Sequence, residues 1–187
     1  SAETRQRILA AALPVFTDRG YKGASMRAIA SGAGISIGGL YLYFENKETI
    51  YMTVLKEIFD ELTTKVKEAV GQVDDPVQAL TSLITLRLAY ARKHRELIIL
   101  QSREQGFAYA LTLKQQFFRN QTAIIENILA AGVTGGVFAP CNVKEVAKII
   151  MGTLRGFVLS LVIDPASLFS ADECARFLLR GLLGRNG

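Results

Sequence analysis

The sequence predicts an all-α protein of about nine helices, and three observations support this fold class. Apolar residues recur at helical spacing almost throughout the chain, beginning with Ile8, Ala12, Val15 and Phe16 at i, i+4, i+7 and i+8. Helix start signals stand between these apolar runs. Alternating runs bounded by hairpin turns, which are typical of strands, do not stand out in the sequence.

Start and stop signals place the predicted helices in order. Pro14 interrupts the first apolar stripe and is expected to bend that helix, whereas Gly20 is expected to end it. The run Asp75–Gln78 combines an Asp cap with Pro at the first helical position, and Asn142 and Ser170 begin capping-box patterns. The predicted helices cover residues 4–19, 25–31, 36–42, 47–70, 76–92, 95–103, 107–131, 143–163 and 171–184, with a loop at the glycine-rich stretch 132–136.

Composition excludes several classes of protein. Of the 187 residues, 50% are hydrophobic and 21% are charged, which is too apolar for a disordered chain. The most apolar stretch, 149–163, is interrupted by Arg155 and closed by Asp164, so it falls short of the roughly 18 apolar residues of a membrane span. Cys141 and Cys174 are too few for a disulfide scaffold or a thiolate zinc site. No signal peptide pattern opens the sequence, so we expect a cytoplasmic protein without metal, cofactor or membrane association.

The net charge of +5 allows an anionic partner but does not require one. Helices are short before residue 47 and long after it. We therefore expect a small N-terminal domain at 1–46 and a helical body at 47–187, with a long helix from Lys47 joining them rigidly.

Residues 25–44, SMRAIASGAGISIGGLYLYF, have the pattern of a helix-turn-helix. Ser25 and Ser36 can cap two short helices, and Gly32 and Gly34 permit a tight turn between them. Apolar residues of both helices stand where they can pack together. In such a motif the second helix enters the major groove of DNA.

The side chains of this stretch predict two kinds of DNA contact. Tyr41, Tyr43 and Lys47 suit phosphate contacts, which position the protein without reading sequence. The tip of the second helix, residues 36–39, would face the base edges, where its two glycines let the backbone come close. Arg27 is the strongest candidate for a bidentate hydrogen bond to guanine.

Residues 4–55 resemble the N-terminal DNA-binding domain of the TetR family of transcriptional repressors. The matching stretches are TRQRILAAALPVF, RGYKGASMRAIASGAGIS and GGLYLYFENKETIYMTVL. The resemblance implies DNA contacts from Ser25 and Arg27 on the second helix, from Ser36, Ile37, Gly38, Gly39, Tyr41 and Tyr43 on the third, and from Lys47 at the start of the fourth. Residues 37–39 carry no hydrogen-bonding side chain, so DNA shape is expected to contribute to recognition. Beyond residue 55 only the helical layout matches.

In this family the helical body dimerises and binds a small inducer, so the resemblance implies both properties here. The helices at 143–163 and 171–184 carry broad apolar faces, and Gly152 and Gly156 have a GxxxG spacing that permits close helix approach. An ordinary buried core is the alternative interpretation of these faces. The expected dimer interface consists of Ile150, Leu154, Phe157, Leu161, Leu178 and Leu182.

A ligand pocket is harder to place, because aromatic residues at helical spacing most often form ordinary core. The candidate lining residues are Phe59, Leu62, Tyr90, Phe107, Tyr109, Phe117, Phe118 and Phe157. The stretch 87–119 is rich in basic residues: Arg87, Arg92, Lys93, Arg95, Arg103, Lys114 and Arg119. A solvated face is the simpler interpretation of this charge, and a basic pocket mouth for an anionic amphiphile is the alternative.

The sequence therefore predicts a ligand-responsive transcriptional regulator. We expect a homodimeric repressor that binds a pseudo-palindromic double-stranded operator and is released by a small hydrophobic or amphipathic effector. An enzyme is not expected, since the chain has one His, no metal cluster, no phosphate-cradling loop and only scattered carboxylates. The alternative is a helical protein–protein adaptor without sequence-specific DNA binding.

Overall fold

A computed structural model describes residues 1–103, 110–164, 166 and 168–183. Within these ranges the chain forms nine α-helices and no strand, which confirms the predicted all-α class. The helices are α1 (Ala2–Gly23), α2 (Met26–Gly32), α3 (Ile37–Tyr41), α4 (Lys47–Gly71), α5 (Pro76–Lys93), α6 (Arg95–Arg103), α7 (Leu111–Thr134), α8 (Val143–Ile163) and α9 (Ala171–Leu182).

The chain divides into two compact units. Unit 1 comprises residues 1–60 and 96–114, and unit 2 comprises residues 61–95 and 115–187. Unit 1 thus includes most of α6 as well as the first three helices. The functional boundary at residue 46, drawn from helix lengths, stays a prediction.

Side-chain caps begin the helices where the sequence placed them. Ser25 Oγ accepts a hydrogen bond from the backbone N–H of Ala28 at 3.2 Å, and Ser36 Oγ accepts one from Gly39 at 3.0 Å. Asp75, Asn142 and Ser170 cap α5, α8 and α9 in the same way. Each cap satisfies an N–H group that the helix itself leaves without an acceptor.

The first helix bends at Gly20 rather than at Pro14. Gly20 adopts a φ of 72°, which only glycine tolerates at little cost, and the chain then resumes a short helical turn to Gly23. Pro14 lies inside the continuous part of α1, and its carbonyl accepts a hydrogen bond from Thr17 Oγ1 at 3.1 Å. The break therefore lies at Gly20, where the sequence predicts the end of the helix, and the bend predicted at Pro14 does not occur as a non-helical residue.

Unit 1 has an aromatic core between α1 and α4. The ring centroid of Phe16 lies 5.1 Å from that of Tyr51 in an edge-to-face contact and 6.1 Å from that of Tyr21 in a stacked one. Ile8 on α1 and Leu40 on α3 are fully buried in the same core. This core fixes α3 from beneath and leaves its other side to solvent.

In unit 2, α8 and α9 pack against α5. Helix α7 extends through Gly132 to Thr134, so the glycine-rich stretch 132–136 is not entirely a loop. The ring of Phe138 lies directly on Gly132, where an added Cβ would meet the ring at 2.0 Å. Gly136, with a φ of 71°, makes the turn that brings Phe138 back onto the helix.

Helix α8 is the one helix among the described residues with the length and mean hydropathy, 1.8, that a membrane span needs. A helix in the core of a protein can have the same length and the same mean hydropathy. Ala147, Ile150, Met151, Leu154, Phe157 and Leu161 of α8 are buried inside unit 2. Part of its apolar character therefore serves the packing of unit 2, whereas Ile149, Leu159 and Ile163 are exposed.

Candidate nucleic-acid interface and effector region

The turn between α2 and α3 is fixed by backbone hydrogen bonds. Ile35 N donates to Ala30 O at 3.0 Å, and Gly34 has a φ of 64° that suits glycine. Arg7 Nη2 donates to Ala33 O at 2.8 Å, which ties α1 to the turn. Ile29 on α2 and Leu40 on α3 are fully buried, so the two helices hold a fixed relative orientation.

The outer face of α3 is open to solvent. Ile37 is 40% exposed and Tyr41 is 54% exposed. A Cβ added to Gly38 would meet nothing within 4 Å, so this backbone can approach a flat or convex partner closely. An exposed apolar and aromatic helix face of this kind suits the floor of a DNA major groove.

Ser25 and Ser36 cap helices, and their hydroxyl groups can still donate a hydrogen bond to a partner. Each hydroxyl oxygen accepts a backbone N–H, and both residues are exposed. A hydroxyl that accepts one bond can still donate its own proton, for example to a phosphate oxygen. Arg27 on α2 is also exposed, whereas Tyr43 is half-buried and accepts a hydrogen bond from the amino group of Ser1 at 2.6 Å.

Leu42 is a residue that the sequence analysis missed. It is 85% exposed, directly after α3 and beside Tyr41. In the sequence it reads as one more core leucine of the run LYLYF. Helical phase distinguishes Leu42 from the core residues of that run. Leu40 and Phe44, four residues apart, lie on the buried side, and Leu42 between them lies on the opposite side.

Lys47 holds the end of α1 in place. Its Nζ donates to the carbonyl oxygens of Tyr21 at 2.5 Å and Ala24 at 2.8 Å, with Lys22 O at 3.4 Å, and lies 4.6 Å from the ring centroid of Tyr21. An ammonium group has three donors, and these carbonyls use them. The sequence assigned Lys47 to a phosphate. That contact stays a prediction, and the structure adds to it a position that fixes the segment leading into α2, from which we infer a positioning role.

Lys47→Met is therefore expected to cost about 1–3 kcal/mol of unfolding free energy, the range for hydrogen bonds from a charged donor. It should also weaken binding to all DNA sequences, because α2 loses its support. Arg27→Ala should instead leave stability nearly unchanged and relax base preference at one position. Urea unfolding and fluorescence anisotropy with a panel of DNA duplexes measure both effects. Equal stability of Lys47→Met and wild type would contradict the positioning role.

The predicted pocket residues are placed mostly in the interior. Leu62, Tyr90, Phe117 and Phe157 are buried, and Phe59 and Phe118 are half-buried. Phe107 and Tyr109 lie outside the described residues. The structure brings Phe117 and Phe118 together with ring centroids 5.5 Å apart, while Phe157 contacts Phe169 at 5.1 Å.

Tyr90 has a polar partner rather than a free hydroxyl. Its Oη donates to Glu61 Oε2 at 2.6 Å, and Lys65 Nζ donates to Glu61 Oε1 at 2.7 Å. The bond from Lys65, followed by the bond from Tyr90, lowers the pKa of Glu61 to about 2. The hydroxyl group of Tyr90 is therefore part of a hydrogen-bond network with Glu61 and Lys65 in unit 2.

The expected dimer residues lie mainly inside unit 2. Ile150, Leu154, Phe157, Leu161 and Leu182 are buried, and Leu178 is half-buried. The five buried residues have little surface to lose in a dimer, whereas Leu178 has some, and the interface itself stays a prediction. The exposed apolar residues of α8 and α9 are instead Ile149, Leu159, Ile163 and Phe177.

The basic stretch is not uniformly solvated. Arg92, Lys93, Arg95 and Arg119 are exposed, and the side chain of Arg103 lies outside the described set. Arg87 and Lys114, however, are buried, and burial lowers the pKa of Lys114 to about 8. Within the part of the chain that the structure describes, no cluster of three metal-ligating side chains occurs.

A helix-turn-helix with an open second helix, followed by a long helical body, defines a class of DNA-binding transcriptional regulators. Residues 8–52 match a family described as bacterial regulatory proteins, tetR family. This match covers the helix-turn-helix and the start of α4, so the N-terminal part of the chain is similar to the DNA-binding region of that family.

Relatives extend this similarity over most of the chain. The HTH-type transcriptional repressor KstR2 of Mycolicibacterium smegmatis is 29% identical, with 98% of this chain and 90% of the relative covered. The fatty acid metabolism regulator protein of Bacillus subtilis is 26% identical, with 84% and 83% covered. The crystal structure of the transcriptional regulator FadR from Bacillus subtilis in complex with stearoyl-CoA has a TM-score of 0.78 at 22% identity, with 94% of this chain and 98% of that chain covered, and shows the same fold.

Proposed function

We propose that this protein is a ligand-responsive repressor that binds a pseudo-palindromic operator as a homodimer and is released by a small, largely apolar effector. The observation that carries the DNA-binding half is the open face of α3, where Ile37 and Tyr41 flank a Gly38 with free space above it. Ser25, Ser36 and Arg27 stand exposed on the same helix-turn-helix. Regulation of transcription places its action in the cytoplasm, and the relatives are regulators rather than enzymes.

The apolar surface of unit 2 supports the homodimer, which would match the two-fold symmetry of the proposed operator. Ile149, Leu159, Ile163 and Phe177 are large exposed apolar side chains on α8 and α9, and Gly152 and Gly156 on α8 are exposed beside open space. Small residues permit close approach of a partner helix. Two protomers would place their α3 helices in successive major grooves about 34–36 Å apart.

The effector response rests on the apolar interior of unit 2 and on the relatives. One relative is named for fatty acid metabolism, and a protein of the same fold holds stearoyl-CoA. An effector releases the operator only if it binds the DNA-incompetent conformation more tightly than the competent one. The coupling is reciprocal, so operator DNA should weaken effector binding by the same factor.

DNA binding is tested with duplexes selected from a random pool by the purified protein, followed by anisotropy at increasing salt. A dimer that makes about 6–10 phosphate contacts should lose about 10³–10⁵-fold in affinity between 50 and 200 mM salt. Sedimentation of the complex should show two protomers per duplex. Failure to enrich any sequence from the pool, with no binding at low salt, would favour the adaptor instead.

A further inference from the structure

Arg87 is a buried cation of unit 2 without an anionic partner among the described residues. The residue lies on α5 and is 6% exposed. Its Nε and Nη1 are buried and have no acceptor within the ranges described. The ring centroid of Phe117 lies 5.3 Å from its Cζ, which provides a cation–π contact but no acceptor oxygen. A guanidinium removed from water in this way is costly unless an anion accompanies it.

The charge that acts on Arg87 is a second cation. Burial first, and then the positive charge of Arg155 on α8, lower the pKa of Arg87 to about 10. Arg87 is still protonated at neutral pH, so its positive charge and that of Arg155 repel each other. No carboxylate among the described residues offsets the charge of Arg87. Such a pair without acidic compensation is the arrangement that an external anion stabilises.

The surroundings of the two arginines are aromatic. The Cζ of Arg155 lies 4.0 Å from the ring centroid of Phe118, whose ring packs edge-to-face on that of Phe117. One turn after Phe117, the fully buried Gln121 donates through Nε2 to Thr63 Oγ1, while its Oε1 has no donor within the described part of the chain. Polar groups that lack partners therefore stand beside apolar rings, which is typical of a site for an amphipathic ligand.

We propose that Arg87 and Arg155 bind the anionic group, a carboxylate or a phosphate, of an amphipathic effector whose apolar part packs against Phe117 and Phe118. The anion supplies acceptors for Nε and Nη1 of Arg87. Arg155 is exposed and Arg87 is buried, so the pair runs from the surface of unit 2 to its interior. The inference rests on the effector response proposed above and refines it from an apolar ligand to an anionic one.

The test uses the full chain without DNA and three probes with the same twelve-carbon tail: dodecanoate, dodecyl phosphate and uncharged dodecanol, each below its micelle concentration. Calorimetry should show that at least one anionic probe binds about tenfold or more tightly than dodecanol, the range for a charge-assisted hydrogen bond. The ratio between dodecanoate and dodecyl phosphate distinguishes a carboxylate from a phosphate ligand. Equal binding of all three probes, or no binding of any, would overturn the proposal.

Two variants and a control locate the site. Arg87→Met and Arg155→Met should each lose about tenfold or more in affinity for the anionic probe and leave dodecanol binding unchanged. Lys148→Met removes an exposed cation from α8, the helix that carries Arg155, and should bind as wild type does. Loss of anion binding in Lys148→Met to the same degree would show a general charge effect and contradict the assignment.

A second readout separates a binding site from a structural role of Arg87. Without ligand, Arg87→Met should melt at the wild-type temperature or higher, since it replaces an uncompensated buried charge by an apolar chain. A melting temperature well below wild type, or failure to fold, would indicate a carboxylate partner within the chain and would overturn the proposal. Operator binding retained without any anion binding refutes this inference alone, whereas anion binding without operator binding refutes the proposed repressor.

Discussion

Gly38→Glu is expected to lose operator binding by about 100-fold or more while the fold stays intact. Gly38 lies on the open face of α3, and an added Cβ meets nothing within 4 Å, so the carboxylate causes no clash in the free protein. At the proposed interface it would enter the major groove, between the two negatively charged backbones, where like-charge juxtaposition costs several kcal/mol. Anisotropy with the selected operator and a thermal melt by circular dichroism measure the two quantities.

Gly38→Ala is the control for this change. It adds only the Cβ and should retain the wild-type melting temperature to within the usual range of surface substitutions, about 0.5 kcal/mol. Its loss of operator affinity should be much smaller than that of Gly38→Glu. If Gly38→Glu binds the operator as wild type does, the open face of α3 is not the DNA-binding surface.

Phe16→Ala is expected to lower the free energy of unfolding by about 3–5 kcal/mol, the range for a buried Phe replaced by Ala. The ring is fully buried and contacts Tyr21 and Tyr51, so its removal leaves a cavity between α1 and α4. Because the same core supports Leu40 of α3, operator affinity should fall as well. Urea unfolding with the linear extrapolation gives the first quantity.

The control for Phe16→Ala is Arg19→Ala, three residues later on α1. Arg19 is exposed, and its truncation should change stability by less than about 0.5 kcal/mol. A cost of 1 kcal/mol or less for Phe16→Ala would mean that the neighbouring rings close the cavity and that this aromatic cluster is not what holds α3.

Local structure was predictable because its causes are local. Ser25, Ser36 and Asp75 cap helices through hydrogen bonds that span two or three residues, and those residues are adjacent in the sequence. The turn between α2 and α3 is also a local feature, because it depends on the positive φ of the single residue Gly34. The helix-turn-helix and its exposed candidate contact residues could therefore be expected from residues 25–44 alone.

The dimer surface and the pocket stay predictions, because periodicity shows that a face is apolar but not what covers it. Helix α8 is apolar around most of its circumference. Ile150 is buried and its neighbour Ile149 is exposed, a distinction that depends on packing against α5. The same limit applies to Tyr90, whose hydroxyl partner Glu61 is 29 residues away.

The sequence by itself determined the helical class, the caps, the turn of the helix-turn-helix and the resemblance to the family, since each depends on short-range pattern. Only the tertiary structure decided the roles of single charges. The sequence predicts a phosphate contact for Lys47, and the structure adds that its ammonium group donates to the carbonyls of Tyr21 and Ala24. From the sequence, Arg87 is expected to be one of several solvated basic residues. In the structure it is buried near Arg155, and no carboxylate among the described residues offsets its charge. A charge takes its function from the dielectric and the partners around it, and residues distant in the sequence supply both.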